Sequence, residues 1–300
     1  MIGNSVERVH MIGKNTIKVG LLMLRGLYTA TAGMLTQQRR TEMLSNNIAN
    51  ANTAGYKADQ STIRAFPEML LQRMENKTLP TVNGTNVTGI QTIGSLNTGV
   101  YLQEMRSRDI QGGLKETGVV TDIALIEENV PLHPETNAKG SLFFAVQNQA
   151  GEERYTRNGN FNLDNNGLLL SDGNPVLSTA GQPISIQSGE FNVTEAGDVL
   201  VNGEPVAQID VRFAEDVRNL VKEGNGIYRT SDGQALPTAI NNGDIRYNLK
   251  QKYLENSTVD IGRTYTDMMT AYRSFEANQK VLQAYDKSME KAANEIGRLS

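Results

Sequence analysis

The sequence predicts an α+β protein: long N- and C-terminal helices that pair as a coiled coil, and between them a central, mostly antiparallel β domain. Three observations predict it. From Leu24 to about Asn50 there is no proline, and Leu27, Ala30, Met34, Gln37, Thr41, Leu44 and Ile48 recur at spacings of three and four. Near the other end, Tyr265, Met268, Tyr272, Phe275, Gln279, Leu282, Asp286, Met289, Ala293 and Ile296 do the same. Between these segments the period changes, and seven Asn-Gly or Asp-Gly dipeptides fall between Asn158 and Gly243. Both residues tolerate the positive φ that tight hairpins require.

Taken in order, residues 1–22 lack the stripe that begins at Leu24, and they are expected to be a disordered tail or an extension upstream of a start at Met23. Lys18-Val19-Gly20 can be encoded by a purine-rich run resembling a ribosome-binding site, at the right distance before that methionine. Residues 23–56 form the first helix and end in an asparagine-rich stretch, SNNIANANTAGY, in which the amides of Asn46, Asn47, Asn50 and Asn52 compete for backbone groups and stop the helix. Residues 57–95 are a connector, with a short helix expected over Pro67–Glu75 because proline suits a first helical turn. TLPTVNGTNVTG after it reads as a loop. Residues 96–246 carry the β domain, with runs such as Leu142–Val146 and Val206–Val211. Within it, FNLDNNGLLLSDGNPVL (161–177) and FNVTEAGDVLVNGEPVA (191–207) align without a gap, each reading as strand, turn, strand, turn, strand. Residues 247–300 hold the C-terminal helix. Each helical seam is too narrow to be buried alone, so the two helices are expected to pack on one another or on other subunits.

Composition argues against most chemistry. The chain has 300 residues, no cysteine, no tryptophan and a formal net charge of -4. Disulfides, thiol catalysis and thiolate metal sites are excluded, and nothing polybasic invites nucleic acid. No run approaches the roughly 18 apolar residues of a membrane span. His10 and His133 are the two histidines, and His133 sits between prolines in PLHPET, a poor place for a rigid general base. Asn162, Asp164, Asn166 and Gly167 imitate the start of an EF-hand loop, but Gly173 stands where the bidentate glutamate belongs. No catalytic, metal or cofactor-binding residue is assigned, and the chain is read as a non-enzyme. A secreted sugar-binding β module and a cell-wall hydrolase are the rival classes, weakened by the missing tryptophan and the missing catalytic His/Cys pattern.

The opening motif has a close parallel. LRGLYTATAGMLTQQRRTEMLSNNIANANTAGYK (24–57) resembles the N-terminal signature of flagellar rod, hook and hook-associated proteins. YLENSTVDIGRTYTDMMTAYRSFEANQKVLQAYDKSMEKA (253–292) resembles their C-terminal partner motif, and TGVVTDIALI (117–126) with YTRNGNFNLDNNGLLLSDGNPVL (155–177) resembles their β-domain segment. Three departures stand out: Ser257-Thr258-Val259-Asp260 for Ser-Asn-Val-Asp, Ala54 where many members have proline, and the longer ALIEENVPLHPETNAKGSLFF (124–144) for a compact Gly-x-Gly turn. The last points toward a Gram-positive protein related to the distal rod protein.

The resemblance implies a structural subunit of the flagellar rod in the basal body, with a hook or hook-associated subunit as the alternative. It implies export through the flagellar export apparatus, of the type III kind, and partners that are further copies of the chain and other rod and hook proteins. Terminal helices of such proteins are expected to order on joining the shaft, which couples folding to binding. Head-to-tail addition without closure then makes a filament. Ser45, Asn46, Asn47, Ile48, Asn50, Asn52, Thr53, Gly55 and Tyr56 would form the assembly motif, the asparagines bonding backbone and neighbouring subunits, Gly55 allowing the exit and Tyr56 anchoring it. Leu27, Met34, Leu44, Tyr265, Met268, Tyr272, Phe275, Leu282, Met289 and Ile296 would form the helix seam.

Overall fold

A computed structural model describes residues 3–78, 86–134, 139–186 and 191–297. Helix α1 spans Gly3–Ala49 and helix α2 spans Ile261–Gly297, with short, antiparallel-paired strands between them. The helix expected from Leu24 begins at Gly3: residues 3–22 contain no proline and continue the helical backbone. The chain divides into two compact units, one of Met1–Ser45, Ser61–Met105 and Tyr265–Ser300, the other of Asn46–Gln60 and Arg106–Thr264. These bounds differ from the expected ones: the asparagine motif belongs with the β domain, and 61–105 belongs with the helices.

In the helical unit, the expected helix Pro67–Glu75 is instead a strand, Met69–Thr78, paired antiparallel with Asn86–Leu96 from Met69 opposite Leu96 to Thr78 opposite Asn86. A nine-residue helix is marginal alone, whereas the partner strand, rich in β-branched residues, takes up the backbone hydrogen bonds along the whole length. Of the expected loop TLPTVNGTNVTG, residues 79–85 lie outside the described residues, and Asn86–Gly89 are strand.

The two helices meet along part of the expected seam, through Leu44 and Met268. Met43 and Leu44 are buried with Ala271, and Met268 packs against them. Arg40 lies 3.8 Å from Asp267. A Cβ on Gly33 would meet the Asn278 amide at 2.8 Å, and one on Gly26 would fall 1.9 Å from the Tyr285 hydroxyl. Rising numbers on α1 therefore meet falling numbers on α2. Tyr265 and Tyr272, expected in the seam, are 55% and 51% exposed. Ala271, next to Tyr272, takes the inner face against Met43 and Leu44, where a small residue lets the helix axes approach, and Gly26 leaves room for Tyr285. Leu27, Met34, Phe275, Leu282 and Met289 are half-buried, and the Ile296 side chain lies outside the described residues.

The β domain is built on a five-stranded antiparallel sheet in the order Val211–Ala214, Ser141–Gln147, Glu153–Thr156, Ile227–Thr230, Leu220–Gly224. Ser141–Val146 is buried on both faces. Leu142, Phe144 and Val146 enter the main core, while Phe143 joins Tyr155, Ala214 and Tyr228 on the other side. The two repeats each fold as a three-stranded sheet, as the alignment predicts. Equivalent positions carry the core: Phe161 and Phe191 are buried, as are Leu169 and Val199. Three dipeptides, Asp172-Gly173, Asn202-Gly203 and Asn225-Gly226, have positive φ at both residues, the geometry of a type I′ turn. Asn158-Gly159 serves a different purpose, since a Cβ on Gly159 would lie 1.8 Å from the Ile123 carbonyl oxygen.

Candidate functional site: the asparagine motif and its anchorage

All of residues 46–60 belong to the β domain, and the reason is a set of side-chain bonds. Asn47, the last inward-facing residue of α1, is 3% exposed. Its Nδ2 donates to the Asp59 carbonyl at 2.8 Å, and its Oδ1 accepts from the Asp59 amide at 2.9 Å. A buried asparagine so placed reads a passing backbone as a strand neighbour would, and it draws the chain back along the helix end. The Tyr56 hydroxyl lies 3.1 Å from Asn47 Oδ1 and 2.9 Å from Asn46 Oδ1, where it donates. Asn50 Nδ2 donates to the Asn46 carbonyl, and the Thr53 hydroxyl donates to Asn50 Oδ1. Ser45 and Asn52 are exposed, and Ile48 is half-buried.

The structure turns Asn47 inward, leaves Asn50 half-buried, and leaves Asn46 and Asn52 exposed. Asn47 makes the backbone bonds expected of the motif within its own chain, where burial would make an unpaired amide costly. Gly55 makes the exit as expected, at φ +69, and its N–H donates to the Glu255 carbonyl at 2.8 Å. From there Tyr56–Asp59 runs beside the segment that leads into α2: Thr258 N–H donates to the Tyr56 carbonyl, and Ala58 N–H to the Thr258 hydroxyl.

Beneath this segment lies a buried ionic cluster that sequence reasoning missed. Lys57 Nζ is 2.5 Å from Glu255 Oε1 and donates also to the Ile110 carbonyl. Arg157, 3% exposed, donates from Nε to Glu255 Oε2 at 2.7 Å and from Nη1 to Glu127 Oε1 at 2.8 Å. Its remaining bonds go to the Leu142 and Leu125 carbonyls. Two buried cations thus face two buried carboxylates, the arrangement under which buried charge is tolerated. Burial alone would raise the pKa of Glu127, but Arg157, the Leu142 N–H and Lys139 outweigh it and hold the carboxyl at about 2. Burial likewise opposes ionisation of Glu255, yet Arg157 and Lys57 keep it below the usual carboxylate range. Burial and the Arg157 charge push the Lys57 ammonium down against the pull of Glu255. The only local signals were single charged residues, Arg157 in YTRNG and Glu255 in YLEN, and such charges are common on solvated faces.

Asp109, next to this cluster, behaves oppositely. Burial raises it to about 6, with Glu127 and Asp59 adding to the effect and Lys57 and Arg106 opposing it. Its folded pKa exceeds the unfolded value of 3.8, so the cost of ionising it is complete above pH 6 and is relieved as pH falls toward 4. D109N is expected to stabilise the chain by about 1–2 kcal/mol at pH 8 and to give no gain at pH 4. Urea unfolding at both pH values checks it; equal effects at the two would refute the assignment.

Among the described residues no cluster of His, Asp or Glu could hold a metal ion, and no helix is long and apolar enough to cross a membrane. His133 is half-buried in a loop of which residues 135–138 lie outside the described ones.

Comparison with known proteins matches three segments to family profiles. Residues 27–57 match "Flagella basal body rod protein", 138–201 match "Flagellar hook protein FlgE/F/G D1 domain", and 250–295 match "Flagellar basal body rod FlgEFG protein C-terminal". The chain is 56% identical over 277 residues to the flagellar hook-basal body complex protein FlhO of Bacillus subtilis, covering 92% of this chain and 100% of that protein. It is 31% identical over 284 residues to the flagellar basal-body rod protein FlgG of the same organism, covering 91% and 99%. Against FlgG of Agrobacterium fabrum the identity is 29% over 272 residues, covering 88% and 96%.

Proposed function

The chain belongs to the flagellar hook-basal body family of rod and hook proteins, and we propose on this basis that it is a distal-rod-like subunit adding head to tail to a growing axial shaft. It is a structural rod or hook subunit of the flagellar basal body. The family is one of structural proteins, not of known enzymes.

The observation that carries the finer reading is that α2 has two seams. One, through Met268 and Ala271, is taken by α1. The other, Ile261, Tyr265, Met269 and Tyr272, is exposed at spacings of four, four and three. On α1, Tyr28 and Leu35 are exposed seven residues apart, one heptad. Helices with one face satisfied and a second apolar stripe in water suit a layer of coiled-coil contacts between subunits. The asparagine motif then acts inside each subunit, finishing the helix and fixing its attachment. Passage through the flagellar export apparatus in an unfolded form fits a chain without cysteine, in which no disulfide has to be undone. The β domain would form the outer layer of the shaft. A hook subunit is the alternative, and it would use the same contacts.

The test is an in-frame deletion of the gene, with basal bodies viewed by electron microscopy. Rods that stop short without hooks, restored by the intact chain but not by Y265D/Y272D, are expected. Both tyrosines are exposed, so the double variant should leave the subunit's own stability within about 0.5 kcal/mol per site. Complete flagella in the deletion strain would contradict the rod role, and full rescue by the double variant would contradict the second seam.

A further inference from the structure

Lys222 lies on Leu220–Gly224, an edge strand of the five-stranded sheet, far in sequence from the asparagine motif. Its Nζ sits 4.3 Å from the centroid of the Tyr56 ring and 3.3 Å from Asp59 Oδ2. These are the two residues that hold Asn47: Tyr56 through its hydroxyl, Asp59 through both backbone groups. The Asp59 carboxylate is held from a second direction by the Ser107 hydroxyl at 2.6 Å. We infer that Lys222 is a positioning residue for the motif, a cation that pins the Tyr56 ring and the Asp59 carboxylate together so that the end of α1 is ordered by the β sheet rather than by the rest of the helix.

The local backbone is built for this. Pairing slips between Lys222 and Gly224, so that Lys222 opposes Tyr228 and Gly224 opposes Ile227, a bulge that re-aims side chains on the edge strand. A lysine on an edge strand often serves only to discourage pairing with another sheet, and it then extends into water. Lys222 does not: its side chain is 27% exposed and its charge lies on an aromatic face and a carboxylate. An ammonium in that position is attracted by the ring quadrupole and the anion together, and the partly excluded water strengthens both. Lys57, in the Tyr56–Asp59 segment itself, points into the ionic cluster, so the β domain grips that segment from both sides. Order in the unassembled chain should therefore persist through residues 46–60 even where the free helix beyond them frays. That expectation concerns the monomer and does not depend on the rod reading.

Hydrogen exchange of the purified full-length chain, followed by mass spectrometry at pH 7, tests it in the parent, K222M and K222R. Methionine keeps the stem and removes the charge, whereas arginine keeps a cation that can stack on Tyr56 and pair with Asp59. K222M is expected to speed exchange in peptides spanning 46–60 by about tenfold, with Leu142–Val146 unchanged, and K222R to stay within about threefold of the parent. Unchanged exchange over 46–60 in K222M would overturn the inference. So would an equal acceleration at Leu142–Val146, which would mark a general loss of stability, or an arginine variant as fast as the methionine one.

Discussion

Replacing Arg157 by alanine is expected to destabilise the β domain by about 3–5 kcal/mol, the cost of leaving buried carboxylates without their cation. For a domain of this size that lowers the melting temperature by roughly 10 °C or more. Glu127 and Glu255 would lose a guanidinium that bonds both, and the Leu142 and Leu125 carbonyls would lose their donor. The same cluster sets the acid response. Both carboxyls titrate lower in the folded chain than in the unfolded one, so their contribution is complete above 4.5 and is lost as pH falls toward 2. Urea unfolding at intervals from pH 7 to pH 2.5 should show a steep acid loss in the parent and a shallower one in R157A. The quadruple variant K57M/R157M/E127Q/E255Q separates charge pairing from packing, because replacing a whole buried cluster often costs less than removing one partner. If R157A alone unfolds at the parent's midpoint, the cluster is not holding the fold.

Gly55→Ala carries the second large effect. The residue has φ +69, and an added Cβ would lie 2.3 Å from the Arg157 carbonyl oxygen, a backbone atom that cannot swing away. Strain at positive φ and displacement of the Arg157 backbone together should cost about 2–4 kcal/mol. They should also break the bond from the Gly55 amide to Glu255. Gly173→Ala is the control: its φ is +81, but nothing lies near the added Cβ, so only the conformational cost of about 1 kcal/mol applies. Unfolding midpoints and swimming on soft agar should place G55A well below G173A. Equal behaviour would mean that the close approach to Arg157 is unimportant.

Both effects meet at one point, where the chain leaving α1, the chain entering α2 and the strand-end residue Arg157 converge. The joint is ionic and buried, and the chain leaving α1 and the chain entering α2 share it. Asn47, bonded to both backbone groups of Asp59, finishes the helix at this point.

By itself the sequence determined the two helices, the β character of the middle, the paired repeat and the turns at Asp172-Gly173, Asn202-Gly203 and Asn225-Gly226. These follow from periodicity and from tolerance of positive φ, properties of a residue and its near neighbours. Tertiary structure decided the rest. It made Met69–Thr78 a strand, because the partner Asn86–Leu96 was available to pair with it. It chose Ala271 over Tyr272 for the inner face of α2, because which of two stripes is buried depends on the surface opposite, not on the spacing both share. It also assembled Lys57 with Glu255, 198 residues apart, and Arg157 with both carboxylates. A charge in a sequence carries no mark of its burial; only the chain brought against it supplies the opposite charge that makes burial affordable.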